Sequence, residues 1–118
     1  MKTKFILIIV SILLILLYFL NVPNPDFSSK KYNQKEWVDK PSHRVNMAND
    51  IIKNKVFIGK NSAQLQNELG KAHNEPNNII WKYLLDYKGY LYPEFYFLTI
   101  HFNDGKVDKV YIETLVGN

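Results

Sequence analysis

The 118-residue sequence contains no cysteine. That excludes a disulfide, a thiol nucleophile, a thiolate metal site and a lipid-accepting N-terminal cysteine. Its imidazoles are few: His43, His73 and His101, 30 and 28 residues apart, with no His-x-x-x-His spacing, so a zinc site built on paired short spacings is not expected. Its five glycines are isolated, so neither a phosphate loop nor a dinucleotide fingerprint is present. No Gly-x-Ser-x-Gly occurs. Ser28, Ser29, Ser42 and Ser62 lie in a tether or at helix starts, where capping accounts for them. Asp104 and Asp108 flank a turn, and Glu68 and Glu75 fall on a helix surface and a loop. Net charge is +4, but without Lys2 and Lys4 the remainder carries 13 basic and 11 acidic residues. That balance is too even for an electrostatic nucleic-acid footprint. The expectation is therefore no catalytic residue, no cofactor, no metal, no nucleic-acid partner and no small-molecule substrate.

What the chain does have begins with an apolar run, "FILIIVSILLILLYFL", residues 5–20, after "MKTK". Extended by Thr3, Lys4, Asn21 and Val22, it reaches the roughly 20 residues of a spanning helix. The end, "LYFLNVPNP", lacks the small residues of a signal-peptidase site. The run predicts an uncleaved membrane anchor (1–22) and membrane contact through residues 3–22. It further predicts a single-pass protein with its C-terminal domain on the extracytoplasmic side, in the periplasm or at the cell surface. Residues 23–41, with Pro23, Pro25 and Pro41, read as a partly extended tether onto which Trp37 folds back.

Residues 42–118 read as one small α+β domain. "SHRVNMANDIIKN" (42–54) has Ser42 as cap and an apolar stripe of Val45, Ala48, Ile51 and Ile52 at helical spacing. Residues 55–59 read as a short extended piece. A second helix opens with Asn61 and Gln64 as a capping box, stacks Leu65 on Leu69, and stops at Gly70. Three strands follow at 79–87, 95–102 and 106–114, the last two joined by the tight turn "NDGK". The expected fold class is α+β, two-layer: two short helices on a three-stranded antiparallel meander, preceded by a transmembrane helix. The helices should cover Leu98, Ile100, Phe102, Val110 and Ile112, leaving the opposite face partly open.

The order Arg44-x-x-Met47-x-x-Asp50-Ile51-Ile52, Ile58-Gly59-Lys60, Glu68-Leu69-Gly70, Trp81-Lys82-Tyr83, then Leu98-x-Ile100-x-Phe102-x-Asp104-Gly105-Lys106-Val107 resembles a known group. It is similar to the small two-layer domains of the BamE (SmpA/OmlA) group and of the β-lactamase-inhibitor-protein fold, over about residues 43–114. The resemblance implies a bacterial envelope domain that binds or scaffolds and has no catalytic residues. The chain departs from that group in lacking the lipid-accepting cysteine and a proline directly after Leu69-Gly70-Lys71.

The eight tyrosines are many for this length. Tyr83, Tyr87, Tyr90, Tyr92, Phe97, His101 and Tyr111 form the candidate protein-binding surface, since tyrosine offers large contact area at low entropic cost. Strand propensity and core packing account for the same residues equally well. The functional expectation is a non-catalytic binding or scaffolding domain that engages an unknown protein or another copy of itself. Two alternatives stand beside it: an inhibitor or immunity-type protein with one dedicated enzyme, and a small hydrolase using His101 with Asp104 or Asp108.

Overall fold

Two residues close the hairpin that organises the sheet. Asp104 and Gly105 both hold positive φ, 52° and 76°, as a two-residue turn requires if its twist is to match the flanking strands. The computed structural model describes residues 2–20, 24–73 and 79–117. In it β1 (Ile80–Lys88), β2 (Glu94–Asn103) and β3 (Lys106–Val116) form one antiparallel sheet in the order β1-β2-β3. The meander and the α+β class agree with the sequence reading.

The helices are α1 (Lys2–Leu20), α2 (Gln34–Asp39), α3 (Arg44–Lys53) and α4 (Ser62–Leu69), with a 3-10 turn at Pro41–His43. The last three helices form the second layer. α4 starts on the expected capping box, in which Asn61 and Gln64 satisfy each other's backbone N–H groups. Their apolar faces, with Trp37, Met47, Ala48, Ile51 and Leu65 fully buried, close over Leu98, Ile100 and Phe102 of β2. Val110 and Ile112 pack at the margin of this core and stay partly exposed.

Register on β1 is settled by pairing. Trp81 faces Ile100 and Tyr83 faces Leu98, so Trp81, Tyr83 and Leu85 belong to the core side. An irregularity between Leu84 and Asp86 then inserts one extra residue. A bulge shifts the alternation by one, which sends Tyr87 to the side opposite Tyr83, against Phe95. Simple alternation along 79–87 puts Trp81, Tyr83, Leu85 and Tyr87 on one face; the bulge breaks that pattern at Tyr87.

Two local expectations change. Residues 55–59 are a tight turn rather than an extended piece; Lys55 takes φ 52° and Phe57 is driven into the core. Residues 34–39, expected within the tether, are helical because Asn33 accepts a hydrogen bond from Glu36 N–H at 2.9 Å and caps the turn. Trp37 anchors this segment. It is 0 % exposed, its indole N–H donates to Leu69 O at 3.2 Å, and its ring meets Tyr83 edge-on at 5.9 Å. Arg44 lies over the ring at 4.9 Å and donates to Trp37 O at 2.8 Å. Upstream, Tyr32 N–H donates to Asp50 at 2.8 Å and Asn49 donates to Phe27 O at 2.7 Å.

The membrane expectation is corrected. No helix among the described residues is long and apolar enough to cross a membrane. Over the described residues the physical reason is length: three of the 19 residues of α1 (Lys2–Leu20) are Lys2, Thr3 and Lys4. The remaining 16 positions rise about 24 Å, short of a hydrocarbon core of about 30 Å. Asn21 and Val22, on which the longer span relied, lie outside the described residues, as does Glu75. The transmembrane helix, the signal-anchor, the membrane contact through residues 3–22 and the single-pass extracytoplasmic placement are therefore not supported.

Replacing Trp37 with Ala is expected to cost about 3–5 kcal/mol of unfolding free energy, as for other buried aromatics. Val38, exposed beside it, should tolerate Ala within about 0.5 kcal/mol. Urea titration of both variants checks the contrast.

Candidate functional site

The sheet face away from the helices carries Ile80, Lys82 and Leu84 from β1, and Phe95, Phe97, Thr99 and His101 from β2. Lys109, Tyr111 and Glu113 come from β3. Its centre is not open. Thr99 is 0 % exposed and Phe97 is buried, with the His73 ring 5.4 Å from the Phe97 ring. The approach of residues 70–73 is fixed by two hydrogen bonds: His73 N–H donates to Lys82 O at 2.6 Å, and Tyr83 O–H donates to Gly70 O at 2.9 Å. Glu113 spans the face, its Oε2 lying 3.1 Å from Lys82 Nζ and accepting from Thr99 Oγ1 at 3.2 Å.

The seven residues expected to form one binding surface thus separate into three groups. Tyr83 and Phe97 are buried, the first in the helix-covered core and the second under His73. Burial holds the Tyr83 hydroxyl well above the usual phenol range, and nearby Arg44 opposes that shift. Tyr87, Tyr90 and Tyr92 stand together at the β1–β2 end, where Gly89 turns with φ 88° and residues 90–92 project. Tyr90 and Tyr92 are each 75 % exposed, and Leu91 between them is 71 % exposed. Leu91 lies in the 88–94 loop that the sequence reading expects to engage a partner, although it is not one of the seven residues named singly. Tyr90 also meets Tyr18 of α1, ring centroids 5.7 Å apart.

His101 and Tyr111 occupy the other end and are diagonal neighbours across the β2–β3 ladder, since Tyr111 pairs with Thr99. A second bulge, opposite His101 and Phe102, leaves Asp108 as the extra residue of β3. It turns Asp108 toward His101, whose Nδ1 lies 2.6 Å from Asp108 Oδ1. A carboxylate only accepts, so the ring nitrogen is the donor. The hydrogen bond holds the Asp108 carboxyl below its ordinary range, with the charge of His101 adding a smaller push in the same direction. Asp104, the other carboxylate considered beside His101, forms the turn instead.

The pair is a positioned imidazole and its orienting carboxylate. Nucleophilic catalysis needs a hydroxyl bonded to the same ring, and none among the described residues makes that bond. Nor do three His, Cys, Asp or Glu side chains come together among the described residues as a metal site would need. Comparison of the chain with family models, with curated proteins and with solved structures gives no match.

A carboxyl with a depressed folded-state value contributes stability that is complete above its unfolded value, 3.8 for Asp108. That contribution disappears as pH falls through the lower folded value. The melting temperature should therefore be level near neutrality and decline below about pH 4. In His101→Ala the carboxyl resonance of Asp108 should titrate closer to its ordinary value, and the acid decline should be shallower. NMR titration and melting curves across that window check both.

Proposed function

We propose that this chain is a protein-binding module that works by docking and not by catalysis. The observation that carries the reading is the aromatic tip at the β1–β2 end. Tyr90, Leu91 and Tyr92 project from a five-residue connection between two paired strands, with Tyr87 exposed behind them. Monomeric surfaces rarely leave three adjacent large side chains this open. Stiff tyrosines on a short loop, pinned at both ends by a sheet, lose little entropy on docking. Tyrosine anchors dominate the energetics of many interfaces. The resemblance of Glu68-Leu69-Gly70 and Phe102-x-Asp104-Gly105-Lys106-Val107 to the BamE-like domains supports the same kind of role.

An inhibitor or immunity-type protein is the alternative, and a projecting, sheet-pinned aromatic tip also suits insertion into one enzyme's cleft. Hydrolysis has one observation in its favour, the 2.6 Å contact of His101 with Asp108. That pair lies at the far end of the sheet from the exposed tip, and its geometry serves equally to fasten the β3 bulge.

A photo-reactive residue at position 90 should crosslink to a single protein species in cells. The double change Tyr90→Ala and Tyr92→Ala should weaken capture of that species by roughly 30-fold or more while leaving the melting temperature unchanged. Undiminished capture by the double variant contradicts the reading.

A further inference from the structure

β3 is an edge strand of 11 residues with no proline or glycine within it. Its beginning is covered. Gly59 N–H donates to Val107 O at 2.8 Å, Val107 N–H donates to Lys60 O at 2.9 Å, and Asn61 bridges to Lys106. From Asp108 to Thr114 no other described element bonds to the outer edge.

The phase of the ladder fixes which groups that edge offers. Phe102 N–H donates to Ile79 O, so the even-numbered residues of β2 turn their backbone groups toward β1 and the odd-numbered ones toward β3. Thr99 opposes Tyr111. Tyr111 therefore bonds inward, and Val110 and Ile112 present N–H and C=O outward. Such a row is a template for another strand.

The sequence of this stretch, Asp108-Lys109-Val110-Tyr111-Ile112-Glu113-Thr114, complements itself. Laid antiparallel on a second copy about Tyr111, Lys109 faces Glu113 of the second copy, and Glu113 faces its Lys109. Val110 meets Ile112 on the core side, and Tyr111 meets Tyr111 on the other. The outward groups of Val110 and Ile112 then exchange hydrogen bonds in both directions. Sliding the strands by two residues sets Lys109 against Tyr111 or Leu115 and loses both charge pairs. Lysine on an edge ordinarily repels pairing; here the glutamate four positions later turns it into half of a matched pair. Glu113 uses only Oε2 for Lys82 and Thr99, and its other oxygen faces no partner among the described residues. A groove of about 350 Å³ runs beside the strand, lined by Ile51, Ile52, Ile58 and Val110 and also by charged side chains, Lys55 and Asp108 among them; in this register Ile112 of the second copy, opposite Val110, would lie over it.

We propose that β3 pairs with β3 of a second copy, antiparallel and centred on Tyr111, so that the two three-stranded sheets join into one across a two-fold axis. The inference is independent of the aromatic tip, which lies at the other end of β2.

The absence of native cysteine makes the register directly testable. In a non-hydrogen-bonded antiparallel pair the Cα atoms are about 4.5 Å apart, within disulfide reach. The full chain is used in a mild detergent that keeps the apolar α1 helices apart. Tyr111→Cys, at a half-exposed position, should oxidise to a covalent dimer at least about tenfold faster than Thr114→Cys, which faces Asp108 of the second copy. Without cysteine, Lys109→Glu should weaken dimerisation by about tenfold, through two like-charged pairs; Glu113→Lys should do the same. An equimolar mixture of the two charge variants should restore it, because each copy then supplies what the other needs. Equal oxidation at 111 and 114, or a dimer indifferent to Lys109→Glu, overturns the proposal.

Discussion

The packing of Trp37 is the constraint on which the rest of the domain depends. One side chain joins four separate parts of the chain: α2, which carries it, Arg44 at the start of α3, Leu69 at the end of α4, and Tyr83 on β1. The two short helices α2 and α4, six and eight residues long, are below the length at which a helix holds in water alone. Their stability comes from this shared contact. The same contact commits Tyr83 to the core, and through the strand pairing it commits Trp81 and Leu85 as well. That commitment decides which sheet residues remain for function.

The sheet and its turns were legible in the sequence because their signals are local. Alternation over 95–102, the Asp104-Gly105 turn and the Asn61–Gln64 box each act within a few residues. The misplaced parts all depended on something longer in range. Tyr83 and Tyr87 were assigned to one face because a bulge leaves no mark in a run of large side chains. Phe97 was counted as surface because its cover, the His73 ring, arrives from a loop 24 positions earlier. The Asn33–Glu36 capping pair was present in the residues but lay between prolines and charges that read as a tether. The apolar run 5–20 gave the strongest composition signal and the weakest structural inference. Hydropathy reports what a helix excludes, whereas crossing depends also on the length of the apolar helix.

Two bulges shape the outer face. One brings Tyr87 over beside Phe95, at the end from which Tyr90 and Tyr92 project. The other turns Asp108 onto His101. Between them the centre of the face is closed by Thr99, Phe97 and the Glu113 contacts. Exposed groups are thereby left mainly at two margins of this face: an aromatic tip at one end and a strand edge along one side. The first margin carries the side chains on which the docking proposal rests, and the second the backbone groups on which the pairing proposal rests.

The account rests on Trp37 being an integral part of the folded core and not a loosely attached tether residue. Native-state hydrogen exchange of its indole N–H measures this directly. If Trp37 holds α2, α4 and β1 together, that proton exchanges only on global unfolding, with the same free energy as the backbone amides of Leu98 and Ile100. Exchange far faster than theirs, at a rate unaffected by denaturant, would mean that the segment detaches on its own and would contradict the account.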